Sequence, residues 1–204
     1  MTKIVLTGGP CAGKSTALAD IRTHFTEKGY HVITVAETAT ELIESGVTPF
    51  NCASRLDFQR AQMTVQYAKE QSIVRAAESM AYERILIVFD RGAFDTLAYV
   101  PEAPFLAWHA EHGISPDDRM AFYDGIFHLT TAAKGALHAY TTANNTARKE
   151  TPEEAAALDD RILRAWEKHP RRFVIDNDGK SFSDKLAHLL RTIESILPDT
   201  QNAH

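Results

Sequence analysis

KIVLTGGPCAGKST, residues 3–16, decides the reading of this chain. Its apolar start breaks at Gly8 and has the length of a buried strand, while Lys14–Lys28 reads as the helix that follows. Between them Gly8, Gly9, Pro10, Cys11, Ala12, Gly13, Lys14 and Ser15 fit G-x-x-x-x-G-K-[ST], with Thr16 just inside the helix. Such glycines let consecutive backbone N–H groups turn inward around phosphates, and the helix N-terminus adds partial positive charge. Lys14 is then expected to reach the β- and γ-phosphates, touching phosphate and solvent rather than core, and the Ser15 hydroxyl to ligate Mg²⁺. A glycine-rich turn that merely caps a helix is the plainer reading, but strand, helix and lysine together favour the phosphate cradle. Cys11 reads as a small residue that fits the loop.

Outward from this stretch, short apolar runs alternate with helical segments. HVITVAE (31–37), RILIVFDRG (84–92), DGIFHL (124–129) and RRFVIDN (171–177) read as four more strands. Helices are expected at Thr38–Ser45, about Ser54–Tyr82 and about Ser183–Ile196. Uninterrupted apolar strands between helices imply a parallel sheet covered on both faces, an α/β fold with three layers, α/β/α. Ligands of such sheets bind beyond the carboxyl ends of the strands, the edge shared by Gly8, Glu37, Asp90 and Asp176. Two segments interrupt the rhythm. Residues 101–118, with Pro101, Pro104 and Pro116, read as an insertion able to wall a pocket. Residues 139–152, AYTTANNTARKETP, are polar and helix-breaking between two alanine-rich stretches expected to be helical, and form the lid candidate.

The 204 residues suit one domain spanning 1–204, lid included. Apolar residues make up 44%, enough for a substantial core. A net charge of −5, with acids and bases mixed, argues against a nucleic-acid backbone as partner, which needs a concentrated positive face. Two cysteines without a CxxC pair argue against a disulfide framework and for a reducing cytoplasm. No apolar stretch approaches the roughly 18 residues of a membrane helix, so no membrane partner is expected. The nine histidines show no metal-ligand spacing.

Beside the loop, Asp90-Arg91 ends the third strand. An acid there can stand next to a metal or take the proton of an acceptor hydroxyl, and an arginine can hold phosphate oxygens in a fork. Capping the next helix is the plainer role for Asp90. Glu37, closing the second strand, reads equally well as a helix N-terminal acid or as a group facing the acceptor. Asp95 is expected at the surface. Arg148, with Lys149, Asn144 and Asn145, sits in the lid candidate, where an arginine would neutralise developing charge.

On GGPCAGKST (8–16), VAETAT (35–40), FDRGAFDTLAY (89–99), residues 127–159 and AWEKHPRRFVIDN (165–177), the chain resembles a family. These blocks are similar to the compact P-loop kinases related to the nicotinamide riboside kinase domain of NadR-type proteins, also found fused to CYTH-type domains, a compact AAA-type ATPase/kinase domain. The resemblance implies a P-loop NTPase fold with a five-stranded sheet ordered 2-3-1-4-5, ATP with Mg²⁺ as cofactors, and phosphorylation of a nucleoside- or nucleotide-like small molecule. It implies that Lys14 and Ser15 hold phosphate and metal, that Asp90 is the base or the metal-side acid, that Arg91 and Arg148 are phosphate arginines, and that Glu37 faces the acceptor. The loop departs from the ESSGKS-like version of the nicotinamide riboside kinases, and the chain lacks the aromatic-rich acceptor pocket of deoxynucleoside kinases. Two other readings stay open: an NTPase switch without a small-molecule acceptor, and a kinase acting on a modified base in DNA.

Overall fold

The computed structural model of the protein describes residues 1–137, 140, 151–178 and 181–198. Five strands, β1 (Thr2–Gly8), β2 (His31–Val35), β3 (Ile85–Asp90), β4 (Gly125–Leu129) and β5 (Arg172–Ile175), pair in parallel in the order β2-β3-β1-β4-β5. The helices are α1 (Lys14–Glu27), α2 (Thr38–Glu44), α3 (Arg55–Glu78), α4 (Glu102–Glu111), α5 (Pro116–Ala121), α6 (Pro152–Ala165) and α7 (Phe182–Glu194), with a 3-10 helix at Ala93–Ala98. This is the expected α/β architecture in the expected strand order.

The two-residue period of the strands explains the layering. Ile4, Leu6, Leu86, Val88, Phe127 and Leu129 point to one face and pack with Ile21 and Phe25 of α1 and Leu189 and Ile193 of α7. Val5, Ile87, Phe89 and Ile126 point to the other, against Met63 and Val74 of α3, Phe94 of the 3-10 helix, Phe105 of α4 and Trp166. Each such side chain, fully removed from water, contributes roughly 1.5–3 kcal/mol. Both faces of the sheet are therefore closed, and its carboxyl edge is left for chemistry. Strand order reverses between β1 and β4, because α1 leads away to one side and the chain after β4 leads to the other. The turn after β1 lies at that crevice.

Two expectations change here. Residues 101–118 are mostly helical, forming α4 and the start of α5. Their prolines stand where a helix tolerates them: Pro101 at the N-cap of α4, Pro104 in its first turn and Pro116 at the first position of α5. The alanine-rich stretch before the lid candidate is not a regular helix. Residues 132–135 are a succession of turns, with Gly135 at φ 82° and the Asn177 carboxamide donating to the carbonyls of Thr131 at 2.8 Å and Lys134 at 2.7 Å. No helix among the described residues is long and apolar enough to cross a membrane.

Candidate active site

The turn from Gly8 to Gly13 is held from outside as well as by its own residues. Gly8 sits at φ 142° beside β4, where a Cβ would collide with the carbonyl of Leu129, its register partner. At Gly9 an added Cβ would come within 2.8 Å of the Asp159 Cβ, and the Gly9 N–H donates to Asp159 Oδ1 at 2.8 Å. Asp159, on α6, also accepts from Thr131 N (3.3 Å), pairs with His128 Nε2 (3.0 Å) and receives Lys134 Nζ at 3.0 Å. Burial acts to raise its pKa, but these bonds, His128 first, outweigh burial and hold it at about 2.

Further along the turn, Thr131 Oγ1 donates to the carbonyl of Pro10 and Ala132 N donates to that of Cys11 at 3.2 Å. Lys185 of α7 donates to Ala12 O (3.2 Å), Thr130 O (2.6 Å) and Asn177 Oδ1 (2.8 Å), and burial draws its pKa down to about 8. Cys11, at φ 55°, is kept in the left-handed region that a residue with a Cβ disfavours by about 1–3 kcal/mol. The carbonyls of Pro10, Cys11 and Ala12 are thus engaged from the loop after β4 and from α7. Ser15 and Thr16 are exposed on the first turn of α1. Lys14 differs from expectation. It is 7% exposed, its Nζ lies 3.5 Å from Gly8 O, and its charge is felt by Asp90 and Glu37.

On the other side of β1, the end of β3 gathers Asp90, Arg91 and Glu37. Arg91 takes φ 67°, its N–H donating to Leu6 O at 3.0 Å, and its Nε forms a close ion pair with Glu37 Oε1. Glu37 stands at the N-cap of α2 but does not cap it: its other oxygen accepts from Thr40 Oγ1 at 2.9 Å. Burial would raise the Glu37 pKa, but Arg91, Lys14 and Thr40 bring it down to about 2. Asp90 is the reverse case. Burial, with Glu37 and Asp95 nearby, outweighs Lys14 and Arg91 and raises its pKa above the ordinary carboxylate value. Its Oδ1 is buried with no hydrogen bond, and so is Arg91 Nη1.

Asp90 is not a helix cap. The N-cap of the 3-10 helix is Gly92, whose N–H donates to Asp95 Oδ2 at 2.8 Å. Asp95 is the clear correction to the sequence reading: only 1% exposed, it also accepts from Thr7 Oγ1 at 2.6 Å and Trp166 Nε1 at 3.1 Å. Those bonds fix the turn that carries Arg91. Arg148, Lys149, Asn144 and Asn145 lie outside the described residues, as does nearly all of 139–152. Asp176 stands just past β5 on the same edge.

Sequence reasoning missed Asp159, Asn177 and Lys185, because the partners that give them meaning are up to 173 residues away. A wide recess of about 1170 Å³ lies apart from this site, lined by Val100, Phe105, Asp124, Arg161, Lys168 and Arg171 among others. Residues 101–118 do wall a pocket, then, but one that includes no residue of the phosphate turn and borders the amino ends of β4 and β5.

An oxygen-only donor set suits Mg²⁺, which takes few protein ligands and draws the rest from phosphates and water. The exposed Ser15 hydroxyl and the unbonded Asp90 Oδ1 are of that kind.

A family model described as an AAA domain matches residues 3–184. No curated protein matches the chain. The chain therefore belongs to the AAA domain family, and its sheet and phosphate turn are those of a P-loop nucleotide-binding NTPase or kinase domain.

Proposed function

We propose, on the premise of that membership, that this protein is an ATP-dependent phosphotransferase that moves the γ-phosphate to a hydroxyl of a nucleoside- or nucleotide-like small molecule. The observation that carries the reading is the state of Asp90. A half-buried carboxylate with an unbonded oxygen and a raised pKa, at the strand end beside the phosphate turn, is what a general base needs. Glu37 is poorly suited to that role, since its pKa is held at about 2 and both its oxygens are engaged. Its part is to orient Arg91.

In this account the N–H groups of the turn and Lys14 hold the triphosphate. An acceptor hydroxyl oxygen forms the new bond to the γ-phosphorus, the bond from that phosphorus to the β–γ bridging oxygen breaks, and ADP leaves. The hydroxyl proton passes to Asp90. The transition state is loose, so alignment and charge neutralisation carry most of the rate. Arg91 Nη1, which has no hydrogen-bond partner, would meet phosphate oxygens as charge shifts. Ser15 and Asp90 would hold Mg²⁺, which when bound supplies charge neutralisation at the phosphates; the two oxygens of one carboxylate allow Asp90 both tasks.

The test is ADP production measured with and without a panel of nucleosides, nucleotides and DNA carrying modified bases. Strong stimulation by one small acceptor is the expected result. Slow hydrolysis unchanged by every compound would select an NTPase switch instead, and stimulation by DNA alone would select the modified-base reading.

A further inference from the structure

Helix α3 buries polar residues where an ordinary core helix buries apolar ones. Gln59, Gln62, Gln66 and Glu70 are 7, 5, 4 and 1% exposed, and their spacing of three, four and four residues places them on one stripe. The lower end of that stripe is anchored. Glu70 pairs with Arg119 and accepts from Tyr123 OH at 2.8 Å, and Gln66 Nε2 donates to Glu70 Oε1 at 2.9 Å and lies 3.4 Å from Arg91 O. The stripe therefore faces the end of β3. Gln62 and Gln59, one and two turns nearer the helix start, continue it on the same helix face. Arg119 Nε and Nη1 at the lower end have no partner, and unmatched atoms occur at the upper end too. Gln59 Oε1 is buried without a partner, and so is Thr96 Oγ1 on the neighbouring 3-10 helix, a residue 1% exposed.

Buried polar atoms without partners are rare, because each one lowers stability. A leucine at Gln59 or a valine at Thr96 would fill the same space without that penalty. Eight such atoms occur among the described residues, two of them on Arg119 and one each on Arg60 and His128; the other four, from Gln59, Asp90, Arg91 and Thr96, fall on α3, at the end of β3 and on the 3-10 helix that follows it. We infer that Gln59 and Gln62 of α3, with Thr96, form the recognition wall for the acceptor, reading the uncharged hydrogen-bonding edge of a nucleobase-like heterocycle whose attached hydroxyl lies at Asp90. A carboxamide presents a donor and an acceptor side by side, the complement of the paired groups on a base edge. This deepens the phosphotransferase reading and rests on it.

The test uses Gln59→Leu and, as a variant of nearly unchanged shape, Thr96→Val in the full chain, each with KM for the best nucleoside of the panel, KM for ATP and the melting temperature. The inference expects the nucleoside KM to rise about tenfold or more in Gln59→Leu, as when a buried recognition pair is broken. Discrimination among the nucleosides should flatten, the ATP KM should stay within about twofold, and the melting temperature should hold or rise by about 2–4 °C as an unmatched polar group is removed. Thr96→Val should move in the same direction by a smaller factor. A lowered melting temperature with an unchanged rank order of nucleosides in both variants would overturn the inference and make the stripe structural. If no compound stimulates the wild-type protein, the phosphotransferase reading falls and this inference with it. A stimulated wild type with unaltered variant specificity sinks the inference alone.

Discussion

On the β4 side of the catalytic edge, each awkward feature of the phosphate turn is met by a group from far along the chain. Asp159 takes the Gly9 N–H, Thr131 holds the Pro10 carbonyl and Lys185 holds that of Ala12. On the β3 side, Asp90, Arg91, Gln59 and Thr96 each keep a buried polar atom with nothing bonded to it. The first side is nearly finished as folded protein, His128 Nδ1 being its one buried atom without a partner among those described, while the second carries four such atoms. On the proposed phosphotransferase reading the two sides have different work: the first is the phosphate cradle and the second faces the acceptor.

The largest effect should come from the residue between the two sides. Lys14→Ala is expected to lower ATP turnover by about 10³-fold or more, since it removes the cation shared by the phosphates and both acids. Lys14 is buried, so far-UV dichroism and the melting temperature should be read with turnover; an intact fold with near-normal turnover would break the comparison at its centre.

Asp90→Asn should next lower kcat by about 10²-fold while ATP affinity, read by titration with a nonhydrolysable analogue, changes little. Because Asp90 caps no helix, a large loss of stability with activity kept would contradict its place on the unmatched side.

Asp159→Asn sharpens the contrast from the finished side. Its folded pKa of about 2 lies below the ordinary aspartate value of 3.8. Its stabilisation is thus fully present above about pH 4 and is lost as pH falls through about 2, amounting to about 2 kcal/mol. Denaturant unfolding of wild type and variant from pH 6 to pH 2 should show the variant less stable at pH 6 and the gap closing toward pH 2. The ATP KM should rise by roughly tenfold, as the Gly9 N–H loses its carboxylate, with a smaller change in kcat. A gap independent of pH would remove the Asp159 carboxylate from the account.

The two sides were also unequally legible in the sequence. The turn 8–16 and the pair Asp90-Arg91 are contiguous, and their chemistry follows from local order: strand, glycines, lysine, helix. The strand order came only with the family resemblance. Asp95 was misplaced at the surface because its partners Thr7 and Trp166 lie 88 and 71 residues away, and a lone aspartate five residues past a strand carries no local sign of burial. The glutamine stripe stayed hidden for the opposite reason: polar residues at helical spacing are the ordinary mark of a solvated face. Residues 101–118 were obscured by prolines, which the fold places at helix starts, where a missing N–H does no harm.

The central claim is that the phosphate leaves ATP for another molecule, and its most direct test is to follow that phosphate. ATP, Mg²⁺ and the most stimulating nucleoside would be incubated with the wild-type protein and with Asp90→Asn, and the products resolved by ³¹P NMR and mass spectrometry. The account predicts a phosphomonoester of the nucleoside formed in step with ADP, little inorganic phosphate, and about a hundredfold slower appearance of the ester with the variant. ADP accompanied by equal inorganic phosphate and no ester, at a rate the nucleoside leaves unchanged, would contradict it.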